Sequence, residues 1–209
     1  GDVLFGDFGN DELHGNGGND NILGGTGNDS IFGGTGDDGY FYDVNYKRVD
    51  FAGGLRGEEG NDYLEGGDGQ DYLDGGSGND SLHGGADNDS LYGRTGTDQL
   101  YGEAGDDLLN SDDGNDYLDG GAGNDTLQAY GDNSVVDGGI GDDSINVTGN
   151  NNTVTGGVGI DSISITGNSN QVDAGEGDNI VVIDGGNNQV VTGTGADIVT
   201  VYSHDYTVT

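Results

Sequence analysis

Residues 57–128 read GEEGNDYLE, GGDGQDYLD, GGSGNDSLH, GGADNDSLY, GRTGTDQLY, GEAGDDLLN, SDDGNDYLD and GGAGNDTLQ, eight units of nine with no gap. Glycine crowds the first four places, Asp fills every sixth place, and Leu fills every eighth. A short fixed period dictates a solenoid whose units stack on one another. The glycine-rich run before each Asp predicts a turn with left-handed positions and exposed carbonyls. The last three places, as in Tyr63-Leu64-Glu65, alternate polar, apolar, polar and predict a very short strand with one inward residue. A turn and a strand in nine residues make half a coil. Each unit therefore stacks on the unit two along, about 4.8 Å away.

That stacking builds columns of like charge. Asp62, Asp80, Asp98 and Asp116 line one edge, and Asp71, Asp89, Asp107 and Asp125 the other. Carboxylates about 4.8 Å apart repel by about 1 kcal/mol in water and several times more in a less polar setting. Two inward apolar side chains per coil are too small a core to offset the entropy of ordering eighteen residues. A hard cation between turns answers both problems, because it neutralises the carboxylates and takes oxygen ligands from glycine-rich carbonyls, as Ca²⁺ prefers. The chain is expected to fold with calcium and to be largely unfolded without it.

These units are similar to the RTX nonapeptide GGxGxDxUx, whose period, Asp and apolar place recur together over nearly the whole chain. The resemblance implies an all-β parallel β-roll solenoid with two nine-residue turn–strand units per coil. It also implies calcium-triggered folding outside the cell, in the company of secreted bacterial toxins, proteases, lipases, epimerases and adhesins. The metal ligands expected are Asp11, Asp20, Asp29, Asp38, Asp62, Asp71, Asp80, Asp89, Asp98, Asp107, Asp116, Asp125, Asp143, Asp161 and Asp197. The carbonyls of Gly24, Gly33, Gly66, Gly75, Gly84, Gly93, Gly102, Gly120, Gly138 and Gly156 are expected to complete the sites.

Composition agrees. The 209 residues include 48 Gly, no Cys, Pro, Met or Trp, and carry a formal charge of −36. Low hydrophobicity with high net charge ordinarily means disorder, but disordered tracts do not hold an apolar residue in phase. Without Cys nothing redox-dependent holds the fold, which suits an extracellular protein stapled by metal. Four basic residues against forty acids exclude nucleic acid as a natural partner and disfavour polyanionic glycans. No apolar run is long enough to span a membrane and no secretory signal is visible; the opening GDVLFGDFGN reads as the middle of a larger protein.

Four organisational segments follow. Residues 1–41 hold the first repeats, with Asp11 facing Asp29 and Asp20 facing Asp38; 42–56 interrupt the period; 57–128 are regular; 129–209 are degenerate. The interruption carries Lys47, Arg48 and Arg56 and is expected to leave and rejoin the same roll, its bases on nearby carboxylates and Asp29 next meeting Asp62. In the last segment one edge keeps the calcium signature at Asp143 and Asp161 and more weakly near Asp197. The other carries Ser134, Asn152, Asn170 and Asn188 at the ligand place. Stacked amides donate and accept along a column, so an asparagine ladder can replace the metal. Val147, Ile165, Ile183 and Val201 at the first place are expected to lengthen the preceding strand. They give each coil a second inward residue beside Ile145, Ile163, Val181 and Val199. Calcium is expected on both edges to about residue 125 and on one edge beyond. The last unit puts Tyr206 at the ligand place and reads as a cap strand.

His14, His83 and His204 share no spacing and read as exposed surface, and no catalytic constellation is present. Tyr63, Tyr72, Tyr92, Tyr101 and Tyr117 fall at outward places and read as strand formers rather than a sugar-stacking platform. The expected function is non-enzymatic: a secreted or cell-surface calcium-binding roll that folds after export and rigidly extends or stabilises its parent domains. The alternatives are an interaction module of an adhesin, surface-layer or ice-binding protein with self-association or a cell-surface partner, and the roll of an extracellular epimerase, protease or lipase.

Overall fold

The computed structural model describes residues 1–36, 38, 54–202 and 207–208. Among them are 22 strands, from Val3–Phe8 to Thr207–Val208, and alternate strands go to opposite faces. The odd strands form one 11-stranded parallel sheet and the even strands a second, so the chain is a two-faced β-solenoid. Register is fixed at one coil: Leu73 pairs with Leu91 and Leu100 with Leu118, each eighteen residues on. Ten such steps give a rod roughly 48 Å long.

The strands are longer than the repeat suggests. Tyr72–Ser77 is typical: it takes the last three places of one unit and the first three of the next. Glycine at the first places does not end the strand, because extended, hydrogen-bonded backbone costs it only entropy while the parallel partner lies on each side. Only three residues then turn the corner. In this turn the second and fourth places are left-handed, as at Gly67 (φ 111°) and Gly69 (φ 125°). The eighth place and the first both point inward. Leu64, Leu73, Leu82, Leu91, Leu100, Leu109, Leu118 and Leu127 are fully buried, and the first-place glycines lie beside them without filling space.

The break in period also sits differently. Strand Leu55–Glu59 pairs with Asn21–Thr26, Ile22 stands opposite Leu55, and Leu55 is fully buried. Leu55 and Arg56, expected in the interruption, therefore belong to the roll. Gly54, Leu55 and Arg56 take the last three places of the unit begun at Gly33–Asp38, so the extra fifteen residues are 39–53. Leu55 supplies the apolar side chain this coil needs, which is why the pairing picks it. Tyr40, Lys47, Arg48, His204 and Tyr206 lie outside the described residues.

Beyond residue 128 the interior changes. Ile145 and Val147, Ile163 and Ile165, and Val181 and Ile183 are buried in pairs, whereas Val199 and Val201 are half-buried. The strands that carry them do not lengthen: Ser144–Thr148, Ser162–Thr166 and Ile180–Asp184 are five residues each. The second inward place exists in every unit, and here it is filled. The turn that follows Val147, Ile165 and Ile183 changes too, with left-handed residues at the third and fifth places, as at Gly149 (φ 147°) and Asn151 (φ 60°).

Candidate metal centres

Each sixth-place Asp from Asp11 to Asp161 closes a turn and points into the roll, beside the first-place glycine of its own unit in every case but Asp116. Its Oδ1 accepts the main-chain N–H of the Asp one coil earlier. One column runs Asp20, Asp38, Asp71, Asp89, Asp107, Asp125, Asp143, Asp161 with N···O distances of 2.6–3.0 Å. The other runs Asp11, Asp29, Asp62, Asp80, Asp98, Asp116 at 2.6–2.9 Å. Asp29 does meet Asp62 across the break, at 2.6 Å.

The second carboxylate oxygen decides the chemistry. Oδ2 of Asp11, Asp20, Asp29, Asp62, Asp80, Asp89, Asp98, Asp107, Asp125, Asp143 and Asp161 is buried with no hydrogen-bond partner. Beside it, in all but the Asp80 and Asp98 turns, stands another acceptor. Where a Cβ on Gly102 would lie, the Asp107 Oδ2 is 2.6 Å away and the Gly120 carbonyl oxygen 2.5 Å. At Gly15 the Asp20 Oδ2 is 2.5 Å and the Gly33 carbonyl 2.6 Å away. The same cradle recurs with the carbonyls of Gly24, Gly66, Gly75, Gly84, Gly138 and Gly156. It recurs too with those of Gly57 and Ala174, which the repeat-based ligand set omits. Around Gly75 and Gly93 the nearest atoms are those of Asp80 and Asp98 alone, so the Gly93 and Ser111 carbonyls are not drawn in as closely as the others. Two acceptors facing each other in a buried space, with no donor between them, fit a cation.

Electrostatics point the same way. With no cation beside them, burial, only partly opposed by the backbone N–H bond, raises Asp89 to about 8 and Asp80, Asp107 and Asp143 to about 7. Neighbouring carboxylates add to the rise. Asp62, Asp98 and Asp125 rise to about 6 for the same first reason. Among the described residues no three His, Cys, Asp or Glu side chains converge, so each donor set is carboxylate plus carbonyl. That set suits calcium and not a softer transition metal.

In five units whose first place is not glycine, the ligand changes as well. Ala129, Val147, Ile165, Ala174 and Ile183 accompany Ser134, Asn152, Asn170, Asn179 and Asn188 at the sixth place of the same unit. A Cβ there takes the space of the Asp Oδ2. The main-chain column persists, with Asn152 N to Asn170 Oδ1 and Asn170 N to Asn188 Oδ1 both at 2.8 Å. The amide Nδ2 groups donate to backbone carbonyls and not to one another: Asn152 to Gly131, Asn170 to Gly149 and Asn188 to Gly167, at 2.9–3.1 Å. The sequence identifies the column, whereas its donor targets depend on the altered turn. Asp197 accepts from Asn179 N at 3.0 Å but is only partly buried near the end of the sheet.

Repeat reading missed three features. An outer ladder at the fifth place runs Asn10, Asn28, Asn61, Asn79, each Oδ1 accepting the N–H of the following coil at 2.7–3.1 Å. Its signal was the recurrent Asn before Asp. Rings stack along the even sheet from His14 through Phe32, Tyr63, His83 and Tyr101 to Tyr117, with centroids 4.6–5.8 Å apart. The pairs His14–Phe32 and His83–Tyr101 are stacked and the other three are tilted, and contacts of both kinds brace neighbouring strands. Finally, Arg94 donates from Nε (3.1 Å) and Nη2 (3.0 Å) to the buried Asp74, and Arg56 approaches it at 3.7 Å.

The family model of the RTX calcium-binding nonapeptide repeat matches the chain over residues 1–43 and 55–163 in overlapping segments. No curated protein and no solved structure matches it. The two sheets continue past the last matched residue to Val201 and Val208.

Proposed function

The chain belongs to the family of RTX calcium-binding nonapeptide repeats, and from that premise we propose that it is the calcium-folded structural module of a larger secreted protein. The observation that supports this reading is the buried carboxylate Oδ2 facing a backbone carbonyl with no donor between them. Bound calcium supplies the positive charge that stacked, buried carboxylates lack. Asp20, Asp29, Asp62, Asp80, Asp89, Asp98, Asp107, Asp125, Asp143 and Asp161 would hold it, with Asp11, Asp38 and Asp71 continuing the columns. The carbonyls of Gly24, Gly33, Gly57, Gly66, Gly75, Gly84, Gly102, Gly120, Gly138, Gly156 and Ala174 would share it. Asp197 is left out of this set, because its unit opens on Thr192 and offers no glycine cradle.

The residues themselves do no bond chemistry. They convert a chain of charge −36 into a rod when the cation is present. Sites in the range of about 10⁻⁴–10⁻³ M, typical of extracellular modules, stay empty in the cytosol and fill outside. The chain would cross the cell boundary unfolded and fold afterwards, giving its parent a stiff extension. Far-UV circular dichroism and sedimentation during a calcium titration test this. A transition from expanded coil to compact β-structure near millimolar calcium, absent with magnesium, is expected. A chain equally folded in chelator, with no response to calcium, would overturn it.

A further inference from the structure

Every sixth-place Asp from Asp11 to Asp161 follows a first-place glycine, with one exception: Asp116 follows Ser111. Ser111 is fully buried; its strand slips register against the next coil between Asn110 and Asp113 and pairs with the preceding coil only through Asn110. The turn is also neither of the two types described above. Asp112 at the second place is left-handed (φ 54°), but Gly114 at the fourth is not. The Ser111 hydroxyl faces the Asp116 carboxylate, lowering a pKa that burial raises. Ser111 Oγ and Asp116 Oδ2 are both buried and neither has a hydrogen-bond partner, so a donor and an acceptor are left over in the same turn. One coil on, Ser134 replaces the next Asp and takes the Asp116 N–H on its Oγ at 3.1 Å. From there this edge carries asparagine.

We propose that Ser111 ends the calcium column on this edge: its Cβ fills the cradle that glycine leaves open, and its hydroxyl donates to Asp116 in place of a cation. The Asp116 turn then takes no ion, and the last calcium on this edge belongs to Asp98. The inference rests on the calcium reading above and sharpens it, since it assigns to one hydroxyl the boundary between the metal-held and amide-held parts of the column. A hydroxyl is the right group for the task. It is a neutral donor, it reaches a carboxylate from one carbon away, and it satisfies the buried oxygen that would otherwise demand a charge.

Calcium bound per chain, measured by equilibrium dialysis with atomic emission, tests this on the full chain, with circular dichroism confirming the fold. Ser111→Gly, which restores the residue found in the neighbouring units, should bind one ion more than the parent sequence. Ser111→Ala keeps the Cβ in the cradle and should bind the same number, and Asp116→Asn should also leave the number unchanged. No gain in Ser111→Gly, or a lost ion in Ser111→Ala or Asp116→Asn, overturns the proposal. A parent chain that binds no calcium would overturn the reading beneath it, a separate and recognisable outcome.

Discussion

Gly102→Ala is the sharpest probe of the cradle. Gly102 is not left-handed, so alanine meets no backbone strain there, and elsewhere such a change stabilises by about 0.4–1 kcal/mol through the unfolded chain. Here the new methyl would stand 2.5 Å from the Gly120 carbonyl oxygen and 2.6 Å from Asp107 Oδ2, closer than carbon and oxygen approach. Either the strand or the carboxylate must move. Overpacking of this kind costs about 1–3 kcal/mol. If the carboxylate moves, an ion is lost as well, and that part grows with calcium. Each bound ion stabilises the fold by about 1.4 kcal/mol per tenfold rise in free calcium well above its Kd. The gap between parent and variant should therefore widen by about 1.4 kcal/mol for each site lost when free calcium rises tenfold. Urea unfolding followed by circular dichroism at two calcium concentrations measures it. A gap that stays constant would mean the methyl perturbs packing alone, and the reasoning that puts the ion beside the glycine would fail.

Three more outcomes are expected. Asn170→Asp removes the Nδ2 donor to Gly149 and sets two acceptors together, with a loss of about 1–3 kcal/mol. Calcium should not restore it, because Ile165 fills the cradle, and recovery in calcium-melt experiments would contradict this. In chelator, residual β-structure should fall as pH rises from about 5 to 9. The raised carboxylates favour the folded state while protonated, below the unfolded value of 3.8, and that contribution is lost as pH passes their folded values of about 6 to 8. A pH titration of ellipticity in which β-content instead rises with pH would reverse the assigned sign. Arg94→Ala should cost about 1.5–3 kcal/mol by urea melt, since buried Asp74 loses two charge-assisted bonds. A change near zero would show that Arg56 suffices.

The repeat carried most of the fold. A Leu in phase every nine residues, on a chain with too little core to close any other way, leaves parallel stacking at eighteen as the solution, and the Asp columns follow from it. The parts that were not legible depend on where backbone goes between the marked places. Glycine looks like a turn signal, so the first three places read as turn although parallel partners hold them extended. The break in period was placed after the last residue that resembled the repeat, whereas the roll chooses Leu55, the next side chain able to fill the core. His14 and His83 looked unrelated by spacing because the fifteen extra residues between them hide their shared ninth place, and the ring ladder draws on seventh places too. The pairing of a first-place side chain with a sixth-place amide was present in the sequence. Its cause became visible only when the methyl and the carboxylate were found to need the same space.

Hydrogen exchange of the whole chain, with and without calcium, bears most directly on the central claim. Amides of the strands from Tyr63–Asp68 to Tyr117–Ala122, which lie between carboxylate columns on both edges, should be protected in calcium and exchange rapidly in chelator. Those of Ser162–Thr166 and Ile180–Asp184, which carry paired aliphatics and an asparagine edge, should depend on calcium less. Equal protection of Tyr63–Asp68 through Tyr117–Ala122 in both conditions would mean that something other than a cation holds the buried carboxylates, and the account would be wrong.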